Sequence, residues 1–249
     1  MKTFQHPIFD EVYFYEKLNS TSKQAAKLIE DQTAQGNFLI IANEQTGGIG
    51  RNQNHWSSPL GGIWLTAALY GLSVSSNLTI FTGISIHKAL CELFPAIHEN
   101  LKIKWPNDIY LKDKKLVGIL ASHNQAEKYH LLGIGLNSNV ENIPEEISET
   151  AISLSQFLQQ EIENEKLITK IFDNFASELP EFIEGNLDIK YFNQHSLLEG
   201  KEILLDTDFD QFEGICKGIN KRGAILIELK SGMIQPFYSG TIINWIKTN

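Results

Sequence analysis

The stretch "KWPNDIYLKDKKLVGILAS", Lys104 to Ser122, decides how the chain is read. Pro106 holds Trp105 extended and offers no N–H to a ladder, so a strand is expected to break there. Asn107 and Asp108 then present side-chain oxygens at the kink. Such a pair suits a hydrated Mg²⁺ or an incoming amine, and it suits a plain Pro-Asn-Asp turn as well. Downstream, Lys115 opens an apolar strand in which Gly118 leaves a gap in the side-chain wall, where a ligand or another backbone can come close. "YHLLGIGLN", Tyr129 to Asn137, repeats the device with Gly133 and Gly135 and ends on an amide. With "LKIKW" and "NDIYL", these make four short runs with tight connections, expected to pair antiparallel.

Working outward, "NLTIFTGISIHKALCELF" (Asn77–Phe94) reads as a long helix. Before it, "FLIIA" (Phe38–Ala42) and Ile63–Leu69 read as buried strands flanking a glycine loop, "EQTGGIGRNQNHW". That loop is neither a Walker A motif nor a G-x-G-x-x-G turn, so alone it fits an ordinary loop as well as an anion site. "EVYFYEKL" (Glu11–Leu18) reads as a strand, and "STSKQAAKLIEDQTAQG" as a helix capped by Ser20 or Thr21 and ended by Gly36. After Asn137, helices are expected near Ser153–Gln160 and Asn164–Leu179, the second with Ile168, Phe172, Phe175 and Leu179 on one stripe. Beyond Phe192–Glu199 the pattern turns to five short strands with turn residues between them, the spacing of a small β-barrel. The expected fold is α+β: a mixed, mostly antiparallel sheet packed with helices over 1–192, then an SH3-like barrel over 193–249 that leans on it.

The 249 residues carry a formal charge of −9, which argues against general binding to DNA or to an anionic membrane. No apolar run reaches membrane-spanning length, and two widely separated cysteines, Cys91 and Cys216, fit a reduced, cytoplasmic protein with both thiols in packing roles. Charge is uneven. Five lysines and two aspartates fall within Leu101–Lys115, an island that fits an anion site or a lysine-decorated strand edge. No HExxH, CxxC or G-x-S-x-G occurs, and the seven histidines are scattered along the chain and expected on the surface or in packing.

Taken together, "NSTS" (Asn19–Ser22), "EQTGGIGR…HWSSP" (Glu44–Pro59), "KWPNDIYL" (Lys104–Leu111), "KLVGIL" (Lys115–Leu120), "GIGLN" (Gly133–Asn137) and "GINKRGAILIE" (Gly218–Glu228) resemble the biotin protein ligases in order and spacing. The resemblance covers nearly the whole chain, and KWPND followed by K-L-x-G-I-L is its most specific part. It implies ATP-dependent formation of biotinyl-5′-AMP with Mg²⁺, then transfer of biotin to a lysine of a biotin carboxyl carrier domain. It implies Lys115, Arg51 and Asp108 as catalytic residues, with Lys115 on the biotin carboxylate and α-phosphate. Ser20, Thr21 and Gln45 would read the ureido ring, while Gly48, Gly118, Gly133 and Gly135 give room. Arg51, Trp56, Lys104, Asn107, Lys115 and Asn137 would hold ATP or the adenylate, with Asp108 and Asn137 near the metal. The family loop usually carries several arginines, as in G-R-G-R-x-x-R. Here Ile49 and Asn54 replace two of them, leaving Arg51 alone unless Lys104 or Lys114 compensates. The short segment before the first strand implies the type without a DNA-binding domain, acting as monomer or homodimer. A lipoate or other acyl-protein ligase and a non-catalytic biotin-binding relative are the alternative readings.

Overall fold

A computed structural model describes residues 4–73, 77–124 and 126–245. The larger sheet is built from β1 (Glu11–Leu18), β2 (Phe38–Ile49), β3 (His55–Ser58), β4 (Ile63–Tyr70), β5 (Leu101–Lys104), β6 (Asp108–Leu111), β7 (Lys114–Asn124) and β8 (Tyr129–Leu136). Its order is β1-β2-β4-β8-β7-β6-β5, with β3 hairpinned onto the far end of β2. Only β1 and β2 run parallel; the other pairs are antiparallel. The four runs around the deciding stretch therefore pair as expected.

Period-two alternation assigns the two faces. Leu39, Ile41, Leu65, Ala67, Leu132 and Ile134 point to one face, where α2 (Leu78–Leu93) and α4 (Asn164–Ile183) pack through Phe81, Ile84, Ile168, Phe172 and Phe175. Each such side chain taken fully from water contributes about 1.5–3 kcal/mol. Phe38, Ile40, Ala68 and Leu131 point to the other face, under Ala25 and Ile29 of α1 (Thr21–Glu30). This second helix-covered layer stops short of the strand centres. Gly133 and Gly135, which alternate with the buried apolar residues of β8, are left lining a cavity, and Thr66 of β4 lies buried beneath it.

Three expectations about element bounds need correction. Helix α1 ends at Glu30, not Gly36: Gln32 takes a left-handed φ of 52°, and Thr33 N–H closes on Leu28 O at 3.0 Å, so the chain caps itself early. Strand β2 runs through Gly47 and Gly48 to Ile49, because β3 pairs with it, and the true loop shrinks to the residues around Arg51–Gln53. Helix α4 continues past Leu179 and through Pro180 to Ile183. The histidines are scattered in sequence but not in space. His87, fully buried on α2, sits 4.7 Å from the ring of His195, which in turn lies 5.6 Å from His98, and His123 stacks on His130 at 4.2 Å. His87 Nε2 donates to Leu101 O (3.1 Å) and its Nδ1 accepts from Tyr191 Oη (2.8 Å), so it is a satisfied neutral core group. Burial pushes its pKa down to about 3. Cys216 is buried as expected, while Cys91 is half-buried.

The smaller sheet comprises β9 (Glu202–Asp206), β10 (Gln211–Ile219), β11 (Ile225–Leu229), β12 (Ile234–Phe237) and β13 (Thr241–Trp245), after α3 (Leu154–Leu158) and α5 (Ile189–Gln194). All its neighbours are antiparallel along an open path, β12-β11-β10-β9-β13, without a closing pair among the described residues. Ile203, Leu205, Ile225 and Ile227 join the same apolar cluster as the larger sheet. Trp105 Nε1 donates across the junction to Gly223 O at 2.9 Å. Among the described residues no helix is long and apolar enough to cross a membrane.

Candidate active site

A cavity of about 370 Å³ opens on the glycine-bearing face of the larger sheet, within the range of small-molecule sites. One end is neutral. The Ser20 hydroxyl makes no capping bond to α1; instead the orphan N–H of Thr21 is taken by Gln45 Oε1 at 2.7 Å, which ties the helix start to β2. Thr21 Oγ1 also donates to Gln45 Oε1 (3.1 Å), and Gln45 Nε2 donates to Ser58 Oγ (2.8 Å). Thr66 and Ser22 extend this network beneath the floor.

The other end is charged. Lys115 Nζ pairs with Asp108 Oδ1 at 2.7 Å and lies 5.1 Å from the centre of the Trp56 ring. Asp108 is brought there because the chain turns at Trp105–Pro106 and re-enters as β6, opposite Lys104 and Gly118. Arg51 reaches in from the loop, donating to Asn107 Oδ1 (3.3 Å) and to Gly240 O (2.7 Å). Burial lowers its pKa and the Asp108 charge opposes that; an arginine starts so high that it stays a cation. Asn107 is fixed by Ile119: Nδ2 donates to Ile119 O at 2.7 Å, and Ile119 N–H returns to Asn107 O at 2.9 Å.

Ser20, Thr21, Gln45, Arg51, Trp56, Asn107, Asp108, Lys115, Gly118, Gly133, Gly135 and Asn137 all line this one cavity. Two residues expected there do not. Gly48 lies in the β2–β3 ladder, with the space beside it taken by Trp56 O and Ser58 Oγ. Lys104 is buried behind the wall, 4.3 Å from the Trp245 ring centre and 5.4 Å from that of Tyr110. Desolvation pushes its pKa down to about 8, against the pull of Asp108. Lys114 donates to Ser148 O (2.8 Å), and neither lysine lines the cavity beside Arg51. The room over the glycines is also differently used. A Cβ on Gly118 would lie 2.7 Å from Trp56 Cζ3, and one on Gly135 would lie 2.5 Å from its Nε1. These glycines admit the indole, whose buried Nε1 has no hydrogen-bond partner among the described residues. Sequence reasoning missed Ser22, Tyr110, Thr150 and Thr241 in the lining. For Ser22 the only signal was a hydroxyl one place beyond the Ser-Thr pair; Thr241 shows that the smaller sheet contributes to the site.

Fold and cavity define a small-molecule-binding α+β domain joined to an antiparallel C-terminal sheet, with a neutral recognition end facing a cationic one. Residues 14–139 match the biotin/lipoate A/B protein ligase family, and residues 200–245 match the biotin protein ligase C-terminal domain. The bifunctional ligase/repressor BirA of Bacillus subtilis is 32% identical over 250 residues, spanning 96% of this chain and 74% of that protein. A biotin–[acetyl-CoA-carboxylase] ligase of Mycobacterium tuberculosis is 24% identical over 77% of this chain and 73% of its own length. The biotin protein ligase of Aquifex aeolicus in complex with biotin and ATP superposes with a TM-score of 0.84 at 25% identity, covering 96% of this chain and all of that one. The chain belongs to the biotin/lipoate A/B protein ligase family, among its biotin protein ligases.

Proposed function

We propose that this protein is an ATP-dependent biotin protein ligase that activates biotin as biotinyl-5′-AMP and transfers it to a lysine of a biotin carboxyl carrier domain. The observation that carries the reading is the single cavity that joins the neutral network at Thr21 and Gln45 to the Lys115–Asp108 pair at 2.7 Å. In the first step a biotin carboxylate oxygen bonds to the α-phosphorus, and the bond to the bridging oxygen breaks to release pyrophosphate. Both reactants are anionic, so fixed cations and N–H groups must offset the charge that builds up. Lys115 and Arg51 are the cations that line the cavity among its described residues. Lys104, shielded by Tyr110 and Trp245, acts on this charge only through space.

In the second step the carrier amine attacks the acyl carbon, AMP leaves with the bonding pair, and the amine loses a proton. Asp108, paired with Lys115 at 2.7 Å, orients that amine while Lys115 stays at the carbonyl. Asp108 and Asn137 supply hard oxygen donors of the kind Mg²⁺ takes. Among the described residues no group of three or more His, Cys, Asp or Glu gathers to hold a metal by itself. The fit is thus to Mg²⁺ carried on ATP, which would supply charge neutralisation at the phosphates. We place the reaction in the cytoplasm, where ATP is available and the two free cysteines stay reduced.

The test is pyrophosphate–ATP exchange with Mg²⁺ and biotin, lipoate or octanoate offered in turn. Exchange is expected with biotin. Exchange with lipoate or octanoate but not biotin would move the chain to another branch of the family.

A further inference from the structure

The hydroxyl network beneath the neutral end has a direction, and one backbone group fixes it. Thr21 N–H can only donate, so Gln45 must turn Oε1 toward it at 2.7 Å. Thr21 Oγ1, 3.1 Å from the same oxygen, can then only donate to it. That commits its single proton, so Thr66 Oγ1 donates to Thr21 Oγ1 at 2.8 Å. The Thr66 proton is committed in turn. Ser22 Oγ, 3.1 Å from Thr66 Oγ1, must therefore be the donor of that pair. On the other side Gln45 Nε2 donates to Ser58 Oγ (2.8 Å), which donates to Trp56 O (3.3 Å).

The chain thus runs one way, from Ser22 through Thr66, Thr21, Gln45 and Ser58 to a backbone carbonyl. Its polarity decides what the cavity offers. The hydroxyls of Ser22 and Thr21 keep only lone pairs for a ligand, and the Gln45 amide keeps one N–H. Two acceptors beside the Gln45 N–H and the Ser20 hydroxyl, which makes no capping bond, complement a cyclic urea, which brings two N–H groups and one carbonyl with two lone pairs. A dithiolane ring brings neither.

We propose that Thr66 is the positioning residue that sets this polarity and, with it, the ring selectivity of the site. The inference rests on the biotin reading above. Thr66 is fully buried and is not among the residues lining the cavity. It sits on β4 in register with Gly133, where an added Cβ would lie 3.2 Å from Ser22 Oγ. The missing side chain is what lets Ser22 come down to Thr66. Without the Thr66 hydroxyl, the Ser22 proton is free to turn toward the ligand and Thr21 loses its donor, so the acceptor pattern is no longer enforced.

The test is pyrophosphate exchange by Thr66→Val, Thr66→Ser and Thr66→Ala, with biotin and ATP varied separately and thermal melting recorded alongside. Thr66→Val is expected to raise the KM for biotin about tenfold, the size of one lost hydrogen bond, with kcat and the KM for ATP within about threefold. Thr66→Ser, which keeps the hydroxyl, is expected to restore the biotin KM. An unchanged biotin KM in a folded Thr66→Val protein overturns the inference. So does a Thr66→Ser protein as weak as Thr66→Val, since shape and not the hydroxyl would then matter. Should Thr66→Val fail to fold, Thr66→Ala decides: a raised biotin KM that Thr66→Ser does not share supports the relay, and a wild-type value removes it. Wild-type protein that exchanges with no biotin at all fells the substrate reading and this inference together, a result no variant ratio imitates.

Discussion

The two ends of the cavity solve different problems with different materials. At the neutral end Thr21, Ser58 and Thr66 are all nearly or fully buried, and the hydroxyl proton of each of these three has an acceptor. At the charged end the side chains of Lys115 and Asp108 remain 30% and 14% exposed and are satisfied chiefly by each other. A urea ring keeps its donors and acceptors throughout the reaction, so the groups that read it can be locked in advance. The carboxylate loses its charge in the first step and the amine loses a proton in the second, so the groups that meet them have to be able to change partners. The resting ion pair keeps Lys115 neutralised until an anionic substrate competes with Asp108 for it.

The sharpest way to break this comparison is to damage one end and read both. Lys115→Ala is expected to lower pyrophosphate exchange by about 10²–10³-fold or more, the scale of a lost transition-state cation or donor. Calorimetric biotin affinity should stay within a few-fold and thermal melting near wild type. Equal losses of exchange and affinity would show that the ends do not divide the work. Gln45→Ala is the mirror experiment. It strips the acceptor from Thr21 N–H and breaks the relay at its middle, so the KM for biotin should rise about tenfold or more while kcat changes little. A kcat loss larger than the KM change would place Gln45 with the charged end.

Much of this was legible in the sequence, for reasons that particular residues make plain. The strand quartet from Leu101 to Leu136 was readable because alternation, a proline and short connections all agree. Helices α2 and α4 were readable from apolar spacing. The run of β2 through Gly47 and Gly48 was not, because glycine is disfavoured in strands and only the distant His55–Ser58 partner makes it one. Gly36 looked like the end of α1, but the left-handed Gln32 got there first. Ser20, Thr21, Gln45, Asp108 and Lys115 were placed by motif, and the structure gathers them. Thr66 could have been noticed as the one hydroxyl in the run "IWLTAAL", yet the role proposed for it depends on Thr21 and Ser22, far off in the chain. The indole over Gly118 and Gly135 had no sequence signal at all, since a glycine announces room without saying what fills it.

A smaller effect tests the thin cationic lining. The loop holds Arg51 alone, with Ile49 and Asn54 beside it on the cavity wall. Arg51→Ala should leave exchange measurable but release several-fold more free biotinyl-AMP into solution, as followed by chromatography of single-turnover mixtures. No more free adenylate than wild type would mean that the Arg51 bonds to Asn107 and Gly240 are structural and that Lys115 retains the intermediate unaided.

The smallest effect probes what stands behind the charged end. Lys104 is an ammonium between the rings of Tyr110 and Trp245, within hydrogen-bond reach of Ile242 O at 3.4 Å. Burial brings its pKa down to about 8 from an ordinary 10.5. Between those values the unfolded chain holds a proton that the folded one has released, so stability rises with pH across that window. The contribution is complete above the unfolded pKa and is lost as pH falls through about 8. Cation–π attraction to the two rings works the other way, favouring the charged form by about 0.5–2 kcal/mol. Lys104→Met keeps the packing stem and removes the titration. Urea midpoints at pH 8 and pH 10 should then rise less in the variant than in wild type. With a slope of about 3 kcal/mol/M, each kcal/mol of difference is roughly 0.3 M urea. Identical shifts in both proteins would mean that the two rings hold the charge as well as water does, and that the wall behind Asp108 is permanently cationic.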